Sequence, residues 1–420
     1  MRERFYRLVT SILFITLVAM GLRFAFVFHQ ARLIPPEVLA ALPFQNEAGN
    51  VAAALADAKG FCCLFRQPTG PTAWLAPVYP LVLAGVFKLF GTFTLASFYA
   101  AISLNCVFSS LACIPVYYSG KRIGGTALAA LAAWLWAIFP AGIVMPFEWI
   151  WDTSLSALLA ALLLFTTLRL SDSLNYRDAT LYGLLWGIAL LSNPALGALL
   201  PFFLGWLFYR GLSASTLRVS ALLLVVSIII LTCLPWTVRN YLQFHRFIPL
   251  RSNFAYEFWS GNNEIFDEHS RALNRITRYE EVHLYNQTGE TAFLREKWLR
   301  ALNFVRTHPG LYLQLFGRRI IATWLGTETP WQDFVRTDSL FVRFLFLSNA
   351  CTLLGIVPGL VRLRLSRSPY FFPVAAFPAI FPVTFYIAHT TLRHRHPSDP
   401  AIALILALAI VGTGVRHGLK

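Results

Sequence analysis

Glu47 is the first of several side chains whose surroundings suit acid–base chemistry. It lies in FQNEAGNVAAALADAKGF (44–61), where Asn46 can cap a helix and Gly60 can end it. Glu47 then falls in the first turn, with Asn50 on its face. A carboxylate there complements the helix dipole, and beside a cavity it can also take a proton from a hydroxyl or amine. We therefore take Glu47 as a candidate base and Asn50 as a candidate substrate ligand.

A second pair of carboxylates, Glu148 and Asp152, lies four residues apart in PFEWIWDTSL. This spacing places both on one helical face at the outer end of an apolar stretch. Such a pair can bind an amine, a metal or a sugar, or its members can be solvated caps. We take both as candidate catalytic residues and keep solvated caps as the alternative.

Arginine and asparagine side chains cluster among aromatic residues in the stretch 235–264. Guanidinium groups suit phosphate, and amide groups suit sugar hydroxyls. Arginines that snorkel towards the membrane surface are the simpler alternative. The candidate substrate ligands in this stretch are Arg251, Asn253, Glu257 and Asn262.

The stretch TLRHRHPSDP (391–400) alternates Arg393 and Arg395 with two histidines, the second of which is His396. The histidines with Asp399 could suggest a metal. A His-x-His pair without a further ligand in the same stretch is a weak metal signal, however, and contact of the arginines with phosphate is favoured. Arg393, Arg395 and His396 are therefore candidate substrate ligands, and we expect no metal ligands.

Composition decides the environment in which these residues work. The chain has 420 residues, of which 57% are hydrophobic and only 13% charged, with 36 Phe, 12 Trp and 15 Tyr. Soluble domains carry about 25% charged residues, and disordered chains carry few aromatics. This excludes a soluble globule and disorder, and we expect no nucleic-acid partner. Six scattered Cys predict neither a metal cluster nor an essential disulfide.

Apolar runs predict an all-α polytopic membrane protein in one membrane-embedded domain, 1–420, with about ten transmembrane helices. The run 76–91 is predicted not to span, because Pro77 and Pro80 delay its helix and Gly91 ends it. Arg23, within the first span, is either a snorkelling or a site residue. The predicted spans are 8–28, 95–119, 124–142, 153–170, 179–195, 196–210, 219–238, 338–360, 369–389 and 400–416.

The basic residues predict the orientation, since Lys and Arg collect on the cytoplasmic side of a membrane. With 76–91 outside the spans, both termini lie in the cytoplasm, and two large extracytoplasmic loops cover 29–94 and 239–337. The second loop is predicted to carry an amphipathic helix over 290–306, with Leu294, Trp298, Leu302 and Val305 on its apolar face. Most carboxylates lie outside, so we expect the chemistry there.

Taken in order, these stretches resemble the membrane-embedded GT-C glycosyltransferases, which include the protein O-mannosyltransferases, the lipid A aminoarabinose transferase and related bacterial family-39-type proteins. Residues 47–55 resemble the acidic first-loop motif, and PTAWLAPVYPLVLAGVFKLFG resembles the Pro-Tyr-Pro stretch that follows it. Residues 149–155 resemble the second acidic motif. LLSNPALGALLPF, PWTVRNY, PLRSN with GNN, and RHRHPSDP are similar to the later landmarks.

The resemblance implies a GT-C-like bundle in a bacterial inner membrane that transfers a sugar from a polyprenyl-phosphate carrier to an acceptor outside the cytoplasm, with inversion. The partners implied are the lipid-linked donor, an acceptor that is a protein, lipid or glycan, and membrane lipids. The resemblance implies no firm cofactor, and although a divalent metal occurs in this superfamily, the sequence offers no ligand set for one.

The resemblance also implies roles for the candidate residues. Glu47 deprotonates the acceptor, since the family often has Asp-Glu where this chain has Asn46-Glu47, and an Asn is no base at neutral pH. Asp152 and Glu148 orient the acceptor or stabilise positive charge on the sugar. The remaining implied ligands, for the phosphate or the donor hydroxyls, are Asn50, Tyr79, Arg251, Asn253, Glu257, Asn262, Arg393, Arg395 and His396.

Two other functions are compatible with the sequence. A lipid-linked-sugar flippase or transporter needs polar groups near the bilayer midplane, and most spans here lack ionisable residues. A non-catalytic binding subunit of an envelope glycan assembly complex is the third, and Asn46 adds some weight to it. Geometry discriminates them, because the enzyme requires Glu47, Asp152 and the arginines around one outward cavity.

Overall fold

The computed structural model describes residues 2–41, 44, 46–65, 67–213, 218–263, 279–326 and 340–413. These residues are mainly helical, and the only bridge among them that resembles a strand pairing joins Cys62 to Pro71. The predicted all-α class agrees with this. Parts of the predicted second loop, 264–278 and 327–337, lie outside the described residues.

The helices of the first half are α1 Arg2–Val9, α2 Ile12–Ala31, α3 Pro36–Ala41, α4 Glu47–Ala56, α5 Val78–Phe90, α6 Leu95–Leu111, α7 Cys113–Ala137, α8 Pro140–Glu148, α9 Thr153–Leu170 and α10 Tyr176–Ser192. A 3-10 turn, Pro194–Leu199, then leads into α11 Leu200–Ser213, α12 Val219–Phe244, α13 Phe254–Gly261, α14 Tyr279–Thr288, α15 Glu290–Thr307 and α16 Pro309–Leu325. The last helices are α17 Leu340–Leu365, α18 Phe371–Ala379, α19 Val383–Ile387, α20 Leu392–Arg395 and α21 Asp399–Val411.

Six described helical stretches are long and apolar enough to cross a membrane, judged by length and composition. They are Ile12–Ala31, Leu95–Glu148, Thr153–Leu170, Pro194–Ser213, Val219–Phe244 and Arg343–Leu365. The second has 54 residues, about 80 Å if straight, whereas a bilayer core is about 30 Å thick. It therefore has to fold back, and a count of about ten spans stays a prediction.

The reversal lies at Gly124 and Gly125, inside α7. Gly125 has a φ of 80°, which a residue with a side chain adopts only with strain. The limbs on either side run antiparallel, because Trp136 Nε1 donates to the Ser109 carbonyl at 2.8 Å. This hairpin agrees with the predicted division of the region into two apolar runs that meet near 119–124.

The predicted short helix in the run 76–91 is confirmed as α5, which has 13 residues and ends at Gly91 with a φ of 86°. A helix of that length covers about 20 Å, less than a bilayer core. Its length therefore agrees with the prediction that the run does not span.

Arg23 is neither a snorkelling residue nor part of the cavity described below, because its side chain is fully buried within the helix bundle. Its Nε donates to Ser109 Oγ at 2.8 Å, and its Nη atoms donate to the carbonyls of Ala19, Trp136 and Ala137 at 3.0–3.2 Å. The guanidinium thus joins α2 to the α6–α7 hairpin. Only the fold could show this, since Ser109, Trp136 and Ala137 lie more than 80 residues from Arg23 in the sequence.

The predicted amphipathic helix over 290–306 is confirmed as α15, Glu290–Thr307. Of the predicted apolar face, Leu294 is buried, and Leu302 and Val305 pack against the core, whereas Trp298 is 36% exposed. The buried face extends further to Phe293 and Ala301. The helix packs on α13, where Trp298 meets Phe258 with ring centroids 5.2 Å apart. It therefore lies on a neighbouring loop element.

Candidate active site

A cavity of about 310 Å³ opens between four parts of the chain. They are the residues just before α9, the 3-10 turn before α11, the segment that leads into α13, and the region of α19 and α20. Segments more than 200 residues apart in sequence thus form its walls. The polar and charged residues that line it are Asp152, Thr153, Asn193, Arg251, Asn253, Glu257, Thr384, His389, Arg393 and His394.

Glu47 is not one of the residues that line this cavity, but it lies near enough to two of them, Arg393 and Glu257, for their charges to act on its carboxyl group. Asn46 caps α4 as predicted, since its Oδ1 accepts from Gly49 N at 2.8 Å and leaves Glu47 in the first turn. Burial raises the pKa of Glu47; the neighbouring Glu257 carboxylate also raises it, whereas a backbone hydrogen bond and the Arg393 guanidinium lower it. The carboxyl group is therefore poised to exchange a proton nearer neutrality than an exposed glutamate.

Asp152 is held in place at the start of α9. Ser156 Oγ donates to Asp152 Oδ2 at 2.9 Å, and Asn193 Nδ2 donates to Ser156 Oγ at 3.3 Å. Burial raises the pKa of Asp152, while the Ser156 hydrogen bond and the guanidinium groups of Arg251 and Arg393 lower it. The carboxylate thus faces two cations across the cavity.

Arg393 packs against two indole rings that come from the acidic motif. Its guanidinium carbon is 4.4 Å from the ring centroid of Trp149 and 5.2 Å from that of Trp151. Among the described residues its buried Nε has no hydrogen-bond partner. Arginine stacked in this way keeps its planar edge available for a phosphate.

Asn253 and Glu257 supply further polar groups at the cavity. Asn253 is buried, and its Nδ2 donates to Glu257 Oε1 at 3.2 Å. Its Oδ1 has no partner among the described residues, and leaving a buried carbonyl unmatched costs about 1–3 kcal/mol. A hydroxyl of a bound molecule would satisfy it. On the other side of Glu257, His389 Nδ1 lies 3.8 Å from its Oε2.

His394 is a neutral hydrogen-bond donor towards the cavity. Burial, followed by the nearby charges of Arg393, His389 and Arg251, lowers its pKa well below the ordinary value. Its Nδ1 accepts from the backbone N–H of Thr391 at 3.1 Å, so the proton of the neutral ring is on Nε2. The ring stacks on Phe385 at 4.7 Å, which fixes its orientation.

Two of the predicted ligands, Tyr79 and Asn50, lie outside the cavity and bond to loop segments near it, Tyr79 through Asn105. Tyr79 is 2% exposed and donates to Asn105 Oδ1 at 3.2 Å, while Asn105 donates to the carbonyl of Trp149. Asn50 Nδ2 donates to the carbonyl of Leu64. Both side chains therefore position loop segments, and neither lines the cavity.

Four other predicted site residues lie away from the cavity. Glu148 is exposed at the end of α8. Asn262 is buried and bonds the carbonyls of Phe258 and Ile387. Arg395 and His396 are also fully buried and share the Asp399 carboxylate. Helical periodicity explains the last pair, since alternate residues of one helical turn cannot all point to one cavity.

Glu290, which the sequence predicted only as the start of a helix, connects the two outer loop segments at the base of the site. It is 5% exposed and accepts from the Thr72 hydroxyl, from Ala73 N at 3.0 Å, from Ser252 Oγ at 2.7 Å and from the Tyr285 hydroxyl at 2.8 Å. Since Ser252 lies between Arg251 and Asn253, this carboxylate sets the position of the cavity wall.

Replacing Glu290 with Ala is expected to destabilise the protein by about 3 kcal/mol or more, because several buried donors lose their acceptor. The measurement is the thermal unfolding midpoint of the purified protein in detergent. Glu296→Ala is the matched control, since Glu296 lies on the same helix in a partly exposed ion pair with Arg300 that contributes under about 1 kcal/mol. Equal midpoints for the two variants would contradict this role.

The sequence leaves the question of a metal ion open, since it contains His394, His396 and Asp399 close together. Among the described residues, no three His, Cys, Asp or Glu side chains form a group that could hold one. The carboxylates around the cavity face guanidinium groups instead.

The fold is similar to that of solved oligosaccharyltransferases from Archaeoglobus fulgidus. One of them, in complex with Zn and sulfate, is 14% identical in sequence and has a TM-score of 0.54. The match covers 95% of the present chain and 49% of the oligosaccharyltransferase chain. Another, AglB in complex with an inhibitory peptide and a dolichol-phosphate, is 16% identical and has a TM-score of 0.53. This match covers 97% of the present chain and 50% of the AglB chain. No protein-family model and no curated protein sequence matches the chain.

This likeness defines the fold class, which is the GT-C fold. The chain spans about half the length of the structures it matches. Together with the apolar helices, the fold indicates a multi-pass membrane protein.

Proposed function

We propose that this protein is an inverting glycosyltransferase that moves a sugar from a polyprenyl-phosphate carrier to an acceptor on the extracytoplasmic face of a bacterial inner membrane. The observation that carries the proposal is the convergence of Asp152 with Arg251 and Arg393 around one cavity. Glu47 does not line this cavity, but it lies near enough to Arg393 for that charge to act on its carboxyl group. A binding subunit does not need carboxylates and guanidinium groups in this arrangement, and a flippase needs polar groups along its spans.

In the proposed reaction, Glu47 takes the proton of the acceptor hydroxyl or amine. The acceptor atom forms a bond to the anomeric carbon while the bond from that carbon to the phosphate oxygen breaks. Arg393 and Arg251 stabilise the negative charge that grows on the phosphate, and His394 donates a further hydrogen bond from Nε2. Asp152 stabilises positive charge on the sugar ring, opposite the leaving group.

A lipid-linked donor fits both the chemistry of the site and the fold. The cavity combines two guanidinium groups with the apolar side chains of Leu250, Phe254 and Phe385. One structural neighbour is an oligosaccharyltransferase solved with a dolichol-phosphate and a peptide. For the present chain we propose a polyprenyl-phosphate sugar, because a single phosphate matches the small cluster of cations.

The test is transfer from a panel of radiolabelled undecaprenyl-phosphate sugars to membrane fractions that contain the wild-type chain, Asp152→Asn or Glu148→Gln. Wild type and Glu148→Gln are expected to incorporate label, because Glu148 lies outside the cavity. Asp152→Asn is expected to lose about 100-fold, the usual effect of removing a positioned electrostatic group. If folded wild-type protein transfers no sugar from any donor, the binding-subunit and flippase functions take precedence.

A further inference from the structure

A second cavity, of about 630 Å³, runs along α11 from Pro201 to Arg210. α11 begins beside Pro194 and Ala195, which line the active-site cavity, and its last turns carry Arg210. Arg364, in the last turn of α17, and Arg367, just after that helix, complete a basic rim. None of these groups belongs to the proposed reaction.

The long wall of this cleft is apolar and aromatic. Phe202, Trp206 and Tyr209 recur at helical spacing on one face of α11, and Phe372 packs on Phe202 with ring centroids 6.2 Å apart. Gly205 lies between them, and a Cβ atom added there would meet no atom within 4 Å. From Phe202 to Arg210 the helix rises about 12 Å, so the cleft is apolar along its length and cationic at one end.

The basic rim lacks a protein counter-charge. The loops that the topology places at this end contain three carboxylates, and each is already paired: Glu3 with Arg7, Asp172 with Arg122, and Asp178 with Arg169. In the part of the chain that the structure describes, no ion pair includes Arg210, Arg364 or Arg367. The buried Nε of Arg210 also has no hydrogen-bond partner there. An anion from outside the chain would supply the negative charge that these arginines lack.

We infer that this cleft binds an anionic glycerophospholipid, with its phosphate against the arginines and an acyl chain along the aromatic wall. Anionic lipids are the abundant anions at the cytoplasmic surface, and basic clefts between membrane helices recognise their headgroups. Arginine binds phosphate through paired donors, which a zwitterionic lipid satisfies less well because its own cation competes.

The test is native mass spectrometry of the full-length protein in detergent with equal amounts of phosphatidylglycerol and phosphatidylcholine. Wild type is expected to retain phosphatidylglycerol at least about tenfold better. The triple variant Arg210→Gln/Arg364→Gln/Arg367→Gln is expected to lose that preference. Arg177→Gln, an exposed arginine at the same end but outside the cleft, is expected to keep it.

Gly205→Phe keeps the test decisive if the triple variant fails to fold, because it fills the cleft and leaves all three arginines in place. It is expected to lose the bound phosphatidylglycerol. Retention of wild-type occupancy by Gly205→Phe, or equal binding of the two lipids by wild type, would overturn the inference. Preferential binding of polyprenyl phosphate over phosphatidylglycerol at equal concentration would overturn it as well. The readout is independent of sugar transfer.

Discussion

Replacing Glu47 with Gln is expected to lower the rate of sugar transfer by about 100- to 10,000-fold, the range for loss of a general base. Gln has nearly the same size as Glu but cannot take a proton. The Asn46 cap of α4 does not involve the Glu47 side chain, so the helix should persist. The measurement is kcat with the donor that labels membranes best. Full activity in a folded Glu47→Gln protein would refute the base assignment.

The pH profile separates a lost base from a distorted site. Glu47 acts as a base only when ionised, and burial raises its pKa. Wild-type activity is therefore expected to fall on the acid side at a higher pH than an exposed glutamate would give. Residual activity of Glu47→Gln should lack this acid limb, whereas Glu47→Asp should keep it at a lower rate. An unchanged acid limb in Glu47→Gln would assign the titration to another group.

Replacing Arg393 with Gln is expected to lower kcat/KM for the donor by about 100- to 1,000-fold, since a charge that stabilises the leaving phosphate is lost. Arg393→Lys should retain only part of the activity, because lysine keeps the charge but loses the stacking on Trp149 and Trp151. Arg300→Gln is the control, since Arg300 is exposed on α15 and pairs with Glu296.

Arg393→Gln has a second expected effect that a merely structural residue would not produce. The guanidinium lowers the pKa of Glu47 and of Asp152. Removing it should therefore move the acid limb of the transfer rate to higher pH, because more base is protonated at a given pH. If the acid limb and the donor KM both stay as in Arg300→Gln, Arg393 does not face the phosphate.

Features set by neighbouring residues were accessible from the sequence. Asn46 caps α4 because its side chain reaches an amide three residues ahead. Gly91 ends α5, because glycine adopts the positive φ that the end of this helix requires. The composition likewise restricts the chain to an apolar environment, because the charge is too sparse to solvate its surface.

The site depended on tertiary structure, because its members come from segments separated by up to several hundred residues. Residue type alone could not distinguish Arg393, which faces the cavity, from Arg395, whose guanidinium is buried against Asp399 and Asn349. The contacts of Glu290 with Thr72 and Ser252, which join two distant loops, could not be predicted from the residues around Glu290. What the sequence determined by itself was therefore the environment and the local helix signals, which act over a few residues. The tertiary structure decided which charges share a cavity, since that depends on how distant helices pack.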